Sequence, residues 1–432
     1  MITSLYTAIS GLSASGTELS VIGDNIANMN TIGFKGSRVE FGDVLSQTLA
    51  GVAGSSQVGR GVLVSGVSPL FTQGSFETTE SALDMAIDGE GLFIVNDGTG
   101  NYYTRAGQFS IDKNGNVVNP DGLVLQGYTA GDDGKISGSL GNMNIANVQS
   151  TAKVTEKANI ALNLNSTADI ETTAFTLDGN ADGVNNDPVN YNFSSTINVY
   201  DSQGGAHQIT LYFEKTADNA WNVHYVNADP ANPDLLVQAG TQALSFDTSG
   251  ALVNDNSGTA ISFNFGGAVT SPQAVAFDFG TGTGETPPGT GLDGTTQFAS
   301  DFAVMSLGQD GYAAGSLKNM TIAADGVITG IFTNGQTRSI GQIALGKFIA
   351  PSKLTKLGRN LFAESYDSGQ PIVGSASSSG LGRVLSNTLE LSNVDLAEQF
   401  VKMISAQRGF EANSRIITTT DALLQELVNL KR

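Results

Sequence analysis

Apolar residues recur every seven positions at the two ends of this chain and every two positions in its middle. Near the start, Leu5, Leu12, Leu19 and Ile26 form one column, flanked by Ala8, Ile22 and Met29 where Ser15 interrupts. Near the end, Leu396, Met403, Phe410, Ile417 and Leu424 repeat at the same interval, broadened by Phe400, Ile404, Leu427 and Val428. A seven-residue repeat predicts two helices, each with a coiled-coil seam. The stretch "SNVD" (392–395) marks the start of the second, with Ser392 three residues before Asp395 as in a capping box. Glu398 to Lys402 and Glu411 to Arg415 are i,i+4 pairs in the favourable order.

Between the ends the signals change to those of β-hairpins. Asp97-Gly98, Asn114-Gly115, Asp121-Gly122, Asp325-Gly326 and Asn334-Gly335 are turn dipeptides. From 197 to 225, Ile197 and Val199, then Ile209, Leu211 and Phe213, then Trp221, Val223 and Tyr225 alternate with polar residues, separated by "DSQGGAH" and "KTADNA". That period predicts a meander with one buried face. The Gly, Thr and Pro tract "GTGTGETPPGTGLDG" (280–294) reads as a linker or long loop, and "LNLNSTADIETT" (162–173) lies on the other side of the meander.

These shifts predict a nested, mainly β chain with α-helical coiled-coil termini. A terminal helical domain spans 1–30 and 393–432, with extended connections at 31–67 and 381–392. A discontinuous inner β domain is assembled from 68–150 and 305–380. An outer β domain, 151–304, is inserted within it.

The first helix is intrinsically weak. Gly11, Gly16 and Gly23 each cost about 1 kcal/mol relative to Ala in a helix interior, and isolated helices are marginal even in good sequences. Its seam therefore needs a partner, and the C-terminal seam is the nearest candidate. Once paired, both helices still carry apolar residues to bury at about 1.5–3 kcal/mol each. The nine seam residues predict a self-assembling protein whose ends gain order on assembly.

With 432 residues, 40% of them hydrophobic, the chain can form several cores. A net charge of -20 argues against nucleic acid, whose binders cluster Lys and Arg. The absence of cysteine excludes disulfides and thiolate metal sites. The first basic residue is Lys35, so no cleaved secretory signal is expected, and no apolar run reaches the roughly 20 residues of a membrane span.

Candidate chemistry is sparse. "GQIALGK" (341–347) has the spacing of a phosphate loop, but Phe348 replaces the metal-binding hydroxyl and the apolar interior reads as a strand. "DGNADGVNND" (178–187) resembles half a calcium loop through Asp178, Asn180, Asp182 and Gly183, yet Val189 occupies the position of the bidentate Glu, and an Asx-rich turn is the favoured reading. His207, at a turn, and His224, between Trp221 and Tyr225, show no sign of a triad or zinc site, and Asp84 and Asp88 read as solvated carboxylates. No catalytic, metal or cofactor site is expected.

"NIANMNTIGFK" (25–35) resembles the N-terminal signature of the bacterial flagellar rod and hook family, and 392–432 resembles its C-terminal helix nearly throughout. "LNLNST", "VYDSQGGAH" and "YFEKTADNAW" are similar to inner segments of the hook branch, which shorter rod members lack. The resemblance implies an axial protein exported without a cleaved signal by the flagellar type III apparatus and assembled outside the cell into the hook. That curved helical tube serves motility as a universal joint, transmitting torque from rod to filament. Implied partners are further copies of the chain, the distal rod protein, the hook cap, the hook-length control protein and the hook-filament junction protein. Asn25, Asn28, Thr31, Gly33, Phe34 and Lys35 match the N-terminal motif, and Asn393, Asp395, Gln407, Arg408, Asn413 and Leu427 the C-terminal one. Gly409-Phe410 departs from it, where a non-glycine residue and Tyr are common. The alternatives are a distal rod protein, a calcium-dependent secreted β adhesin and, third, a secreted glycoside hydrolase.

Overall fold

The computed structural model describes residues 2–45, 59–131, 134–145, 148–180, 182–256 and 258–429. Part of the 31–67 segment, Ala181 of the 178–187 loop and the side chains of Leu427 and Val428 lie outside what it describes. The chain divides into two compact units, one of 1–148, 318–331 and 337–432, the other of 149–317 and 332–336.

The larger unit contains both terminal helices, α1 (Ile2–Ala27) and α2 (Leu396–Asn429). They pair antiparallel: Gly11 faces Asn413, Ser15 faces Gly409, and Asn25 Nδ2 donates to Gln399 Oε1 at 3.3 Å. The cap of α2 differs from the expected one. Asp395, not Ser392, accepts the free amides, taking Ala397 N–H at 2.8 Å and Glu398 N–H at 3.1 Å. A carboxylate at this position complements the positive helix end better than a hydroxyl. The predicted Glu398–Lys402 ion pair is present at 2.7 Å.

Where an extended connection is expected after α1, the strands Ser37–Leu45 and Gly59–Pro69 form an antiparallel ribbon. A two-stranded ribbon is marginal alone, and this one rests on α1, where Ser10 Oγ accepts Val62 N–H at 3.2 Å. The return segment likewise holds strands: Arg383–Ser386 pairs with Met85–Asp88, and Thr388–Glu390 with Phe76–Thr78. Beyond them a sheet runs in the order Val327–Phe332, Thr337–Lys347, Val124–Ala130, Leu92–Asn96, Asn101–Thr104, Leu361–Ala363. Leu92, Ile94, Tyr103, Ala344, Phe348 and Phe362 pack in its core. "GQIALGK" is a strand of this sheet, with Ile343, Ala344 and Leu345 fully buried. All five predicted turn dipeptides connect strands, their glycines at φ between 78° and 91°.

The smaller unit is a β-sandwich. One sheet is the meander Phe193–Tyr200, Ala206–Ala217, Ala220–Ala228, Leu236–Phe246 and Leu252–Asn254. Every alternating apolar residue predicted for 197–225 points into the core. The facing sheet centres on Lys157–Asn165, flanked by Gln273–Asp278, Thr296–Phe298 and Ala303–Gln309. Trp221 Nε1 donates to Gln297 Oε1 at 3.0 Å and Tyr225 Oη to Gln242 Oε1 at 2.7 Å, so the two largest buried rings also satisfy their polar tips.

The tract 280–294 is a long loop of this unit rather than a free linker. Thr283 N–H donates to Leu252 O at 3.0 Å, Gly284 N–H to Val253 O at 2.9 Å and Thr295 N–H to Phe279 O at 2.6 Å. The unit consequently runs on past 304: Ala303–Gln309 completes the second sheet, and Gln149–Ser150 pairs with Gly315 and Ser316.

Phe277 is fully buried against Tyr225, with ring centroids 4.3 Å apart. Phe277→Ala is expected to cost about 3–5 kcal/mol. Urea unfolding followed by the fluorescence of Trp221, the only tryptophan, reports this unit and should show the corresponding shift.

The helix-to-sheet junction as candidate functional site

Where α1 ends, "NMNTIGFK" turns the chain toward the ribbon. Asn28 Nδ2 donates to Asp24 O at 2.9 Å, and Asn28 Oδ1 accepts Thr31 Oγ1 at 3.2 Å, closing the last turn with side chains. Gly33 follows at φ +68°, and a Cβ there would sit 2.5 Å from the Ala106 backbone nitrogen. Only glycine meets both the backbone angle and the space. Gly33 N–H donates to Glu390 O at 2.7 Å, bringing the outgoing and returning segments together. Phe34 is buried beneath the Lys356 ammonium, which lies 5.3 Å from its ring centre.

Lys35 points inward to a buried carboxylate. Its Nζ donates to Glu390 Oε1 and to Thr72 O, both at 2.6 Å. Arg105 Nε approaches Glu390 Oε2 at 2.5 Å, and Gly74 N–H donates to Glu390 Oε1 at 2.8 Å. Arg105 uses its remaining donors on the carbonyls of Ile87, Gly89 and Gly91. The Lys35 and Glu390 side chains are each 1% exposed and that of Arg105 6%. Burial alone would raise the Glu390 pKa, but Arg105 and Lys35 together with the Gly74 amide outweigh it and hold the carboxyl below its ordinary value.

Two amides complete the junction. Asn393 Nδ2 donates to Leu70 O and Thr72 Oγ1, each at 2.8 Å, while its Oδ1 accepts Gly36 N–H at 2.9 Å. Asn25 bonds both backbone groups of Ser37, through Oδ1 at 2.8 Å and Nδ2 at 2.9 Å, acting as a strand neighbour supplied by a helix. The structure thus brings together Asn25, Gly33, Phe34, Lys35 and Asn393, with Asp395 at the start of α2. Glu390, Arg105, Gln399 and Lys356 belong to the same junction. The sequence signal for Glu390 is a charge set between apolar residues, "LEL" (389–391).

On α1 the flanking column, at Ala8 and Ile22, is buried more deeply than the central one. Buried on α1 are Ala8, Ala14, Ile22 and Asn25, and on α2 Gln399, Ala406 and Thr420. Leu5, Leu12, Leu19, Ile26, Met403, Ile417 and Leu424 are half-buried, and Leu396 and Phe410 are exposed. Small and polar residues let the backbones approach closely, which displaces the larger side chains to the flanks of the contact. Asn413 fills the space opposite Gly11, where a Cβ would lie 2.7 Å from its Nδ2. Gln407 and Arg408 are exposed. A Cβ at Gly409 would lie 3.6 Å from Ser15 Oγ, an ordinary contact, so the glycine is not demanded by space.

The remaining candidates lie in the smaller unit. Both histidines have carboxylate partners: a turn places Asp201 beside His207, and the pairing of adjacent strands places Glu214 beside His224. His207 Nε2 is 2.7 Å from Asp201 Oδ2 and its ring stacks on Phe265. His224 Nε2 is 2.8 Å from Glu214 Oε2 and its ring stacks on Phe175. In the 178–187 loop the Asp178 carboxylate accepts Asp182 N–H at 3.0 Å and Gly183 N–H at 2.9 Å, the geometry of an Asx-rich turn. In the larger unit, Asp88 pairs with Arg383 at 2.7 Å.

Four family profiles match successive parts of the chain. They are the flagellar basal body rod protein at 5–35, the flagellar hook protein FlgE/F/G D1 domain at 86–162, the flagellar basal body protein FlaE D2 domain at 163–312, and the flagellar basal body rod FlgEFG protein C-terminal at 385–430. The flagellar hook protein FlgE of Borreliella burgdorferi is 36% identical over 463 residues, covering 100% of both chains. That of Escherichia coli is 35% identical over 428 residues, covering 98% of this chain and 99% of its own. That of Salmonella typhimurium is 35% identical over 434 residues, covering 99% and 100%. The matched spans thus define an axial protein of the flagellar rod and hook class. Within that class, the chain belongs to the flagellar hook protein family.

Removing one partner of a buried ion pair costs about 3–5 kcal/mol, so Glu390→Gln is expected to lower unfolding stability by that order at pH 7. Because the Glu390 pKa is depressed by folding, its contribution is present above the ordinary Glu pKa and is lost as pH falls through the lower folded value. Urea titrations across the acid range should show the difference between wild type and E390Q shrinking as the pH drops; a constant difference would contradict the role given to the carboxylate.

Proposed function

We propose that this chain is the structural subunit of the bacterial flagellar hook, polymerising with copies of itself into a curved helical tube that transmits torque from rod to filament. The observation that carries this reading is the paired ends. α1 and α2 meet through small and polar residues and leave Tyr6, Ile9, Phe400, Val401, Ile404, Ile416 and Leu423 exposed. Each apolar side chain buried against neighbouring copies would contribute about 1.5–3 kcal/mol. The half-buried residues Leu5, Leu12, Leu19, Ile26, Met403, Ile417 and Leu424 border the same surfaces and, with Leu396 and Phe410, form the assembly seam in this proposal.

The role is structural rather than catalytic: the junction residues are satisfied by one another. Export by the flagellar type III apparatus without a cleaved signal, and a location outside the cell, belong to the same reading. So do contacts with the distal rod protein, hook cap, hook-length control protein and hook-filament junction protein. Near-complete coverage of hook relatives, including the 163–312 segment, favours a hook subunit over a rod protein. The same coverage favours it over an adhesin.

The wild-type chain is expected to restore hooks in a bacterium lacking its own, seen by electron microscopy. Ile404→Asp, at a position 52% exposed in the subunit, should abolish polymerisation without changing the melting of the monomer. Hooks of normal length from that variant would contradict the proposed surface. Amide exchange over 2–27 and 396–429 should slow markedly on polymerisation, whereas equal protection in both states would show that the helices gain nothing from assembly.

A further inference from the structure

The larger unit carries a groove and a projecting loop that suit each other and that the helix pair does not use. The groove has a volume of about 450 Å³ and an apolar wall formed by Phe71, Leu92, Phe348 and Ile349. Ile349 is 82% exposed, an unusual state for a large aliphatic side chain. Lys347 and Arg105 line the polar side. With Lys35 the groove holds three cations, partnered by Glu90 and Glu390, which leaves a local positive surplus in a chain whose net charge is -20.

The loop is "ESYDSG" (364–369). Tyr366 is completely exposed at 101%, and its neighbours Glu364 and Asp367 are exposed acids. The loop is nevertheless firmly built. Ser365 and Ser368 exchange hydrogen bonds at 2.9 and 3.1 Å, Ser365 Oγ donates to Lys353 O at 2.7 Å, and Ser368 is fully buried. A tyrosine held out on an ordered loop loses little freedom on docking, and tyrosine is among the residues that dominate interface energies.

We propose that Tyr366 of one copy docks in the groove of a second copy, its ring against Phe348 and Ile349 and its flanking acids toward Lys347. The inference rests on the hook reading and adds a contact between copies distinct from the helices. Copies in a helical polymer are related head to tail, so the loop of each copy meets the groove of the next and the contact propagates rather than closing a dimer. The occupant is a copy of this chain because both halves of the match, the acidic aromatic loop and the positively biased apolar groove, lie on every copy.

The test places a photoreactive benzoylphenylalanine at position 366 in polymers mixed from isotopically light and heavy subunits. The expected products are heavy-to-light crosslinks between the loop and residues 348–353, in a ladder extending beyond dimers. Crosslinks only within one chain, only to other surfaces, or stopping at dimers would overturn the proposal. Tyr366→Ser and Ile349→Asp, both at exposed positions, should each raise the critical concentration for polymerisation about ten-fold, or about 1.4 kcal/mol, with monomer melting unchanged. The double variant should be little worse than either single one. Wild-type polymers alongside equally good Y366S polymers would sink this contact and leave the hook reading standing; a wild-type chain that builds no tube would sink both.

Discussion

One carboxylate, Glu390, organises the junction between helices and sheets. It lies on the returning strand, while the cations that neutralise it come from the outgoing turn and from the main sheet. A buried charge with a missing partner costs several kcal/mol, whereas the complete set repays most of its desolvation. The arrangement therefore works as a register check. Losing any one of Lys35, Arg105 and Glu390 leaves the others buried without their full set of partners, at a cost of several kcal/mol. Gly33 makes the meeting possible by letting the backbone pass the Ala106 amide, and Asn25 and Asn393 extend the lock to the first residues of the ribbon and the approach to α2.

The helices follow from that lock. Their paired face is built from alanine, glycine, serine and side-chain amides, a composition that gives close approach but little apolar burial. Such a face sets direction and spacing, while the larger side chains remain at its flanks for other surfaces. Glycines that weaken α1 as an isolated helix are therefore not simply defects. Gly11 admits Asn413, whereas a Cβ added at Gly16 or Gly23 would meet no neighbour within 4 Å, so those two contribute nothing to the pairing itself.

Much of this architecture could be read from the residues because period and turn chemistry agreed. The alternation over 197–225 and the Asx-Gly turns each reflect a local rule that tertiary packing reinforced. The junction was legible in part: the resemblance singled out Gly33, Lys35 and Asn393, but their partners lie some 37 to 357 positions away and no local pattern joins Lys35 to Glu390. The ribbon strands 37–45 and 59–69 were equally hidden, since their irregular register blurs the period of two. The polar tract at 280–294 left linker and long loop undecided by its composition. Its order comes from backbone amides bonded to Leu252 and Val253, an interaction that side-chain composition does not report.

The start and finish of the smaller unit lie side by side, with Ser150 opposite Gly315 in an antiparallel ladder. Partners in such a ladder stand about 5 Å apart, a gap that a tight two-residue turn can bridge. The long stretch 149–317 of the sandwich is thus entered and left by adjacent strands. Lineages could enlarge, shrink or exchange it without rethreading the rest of the chain, so diversity among these proteins would concentrate there.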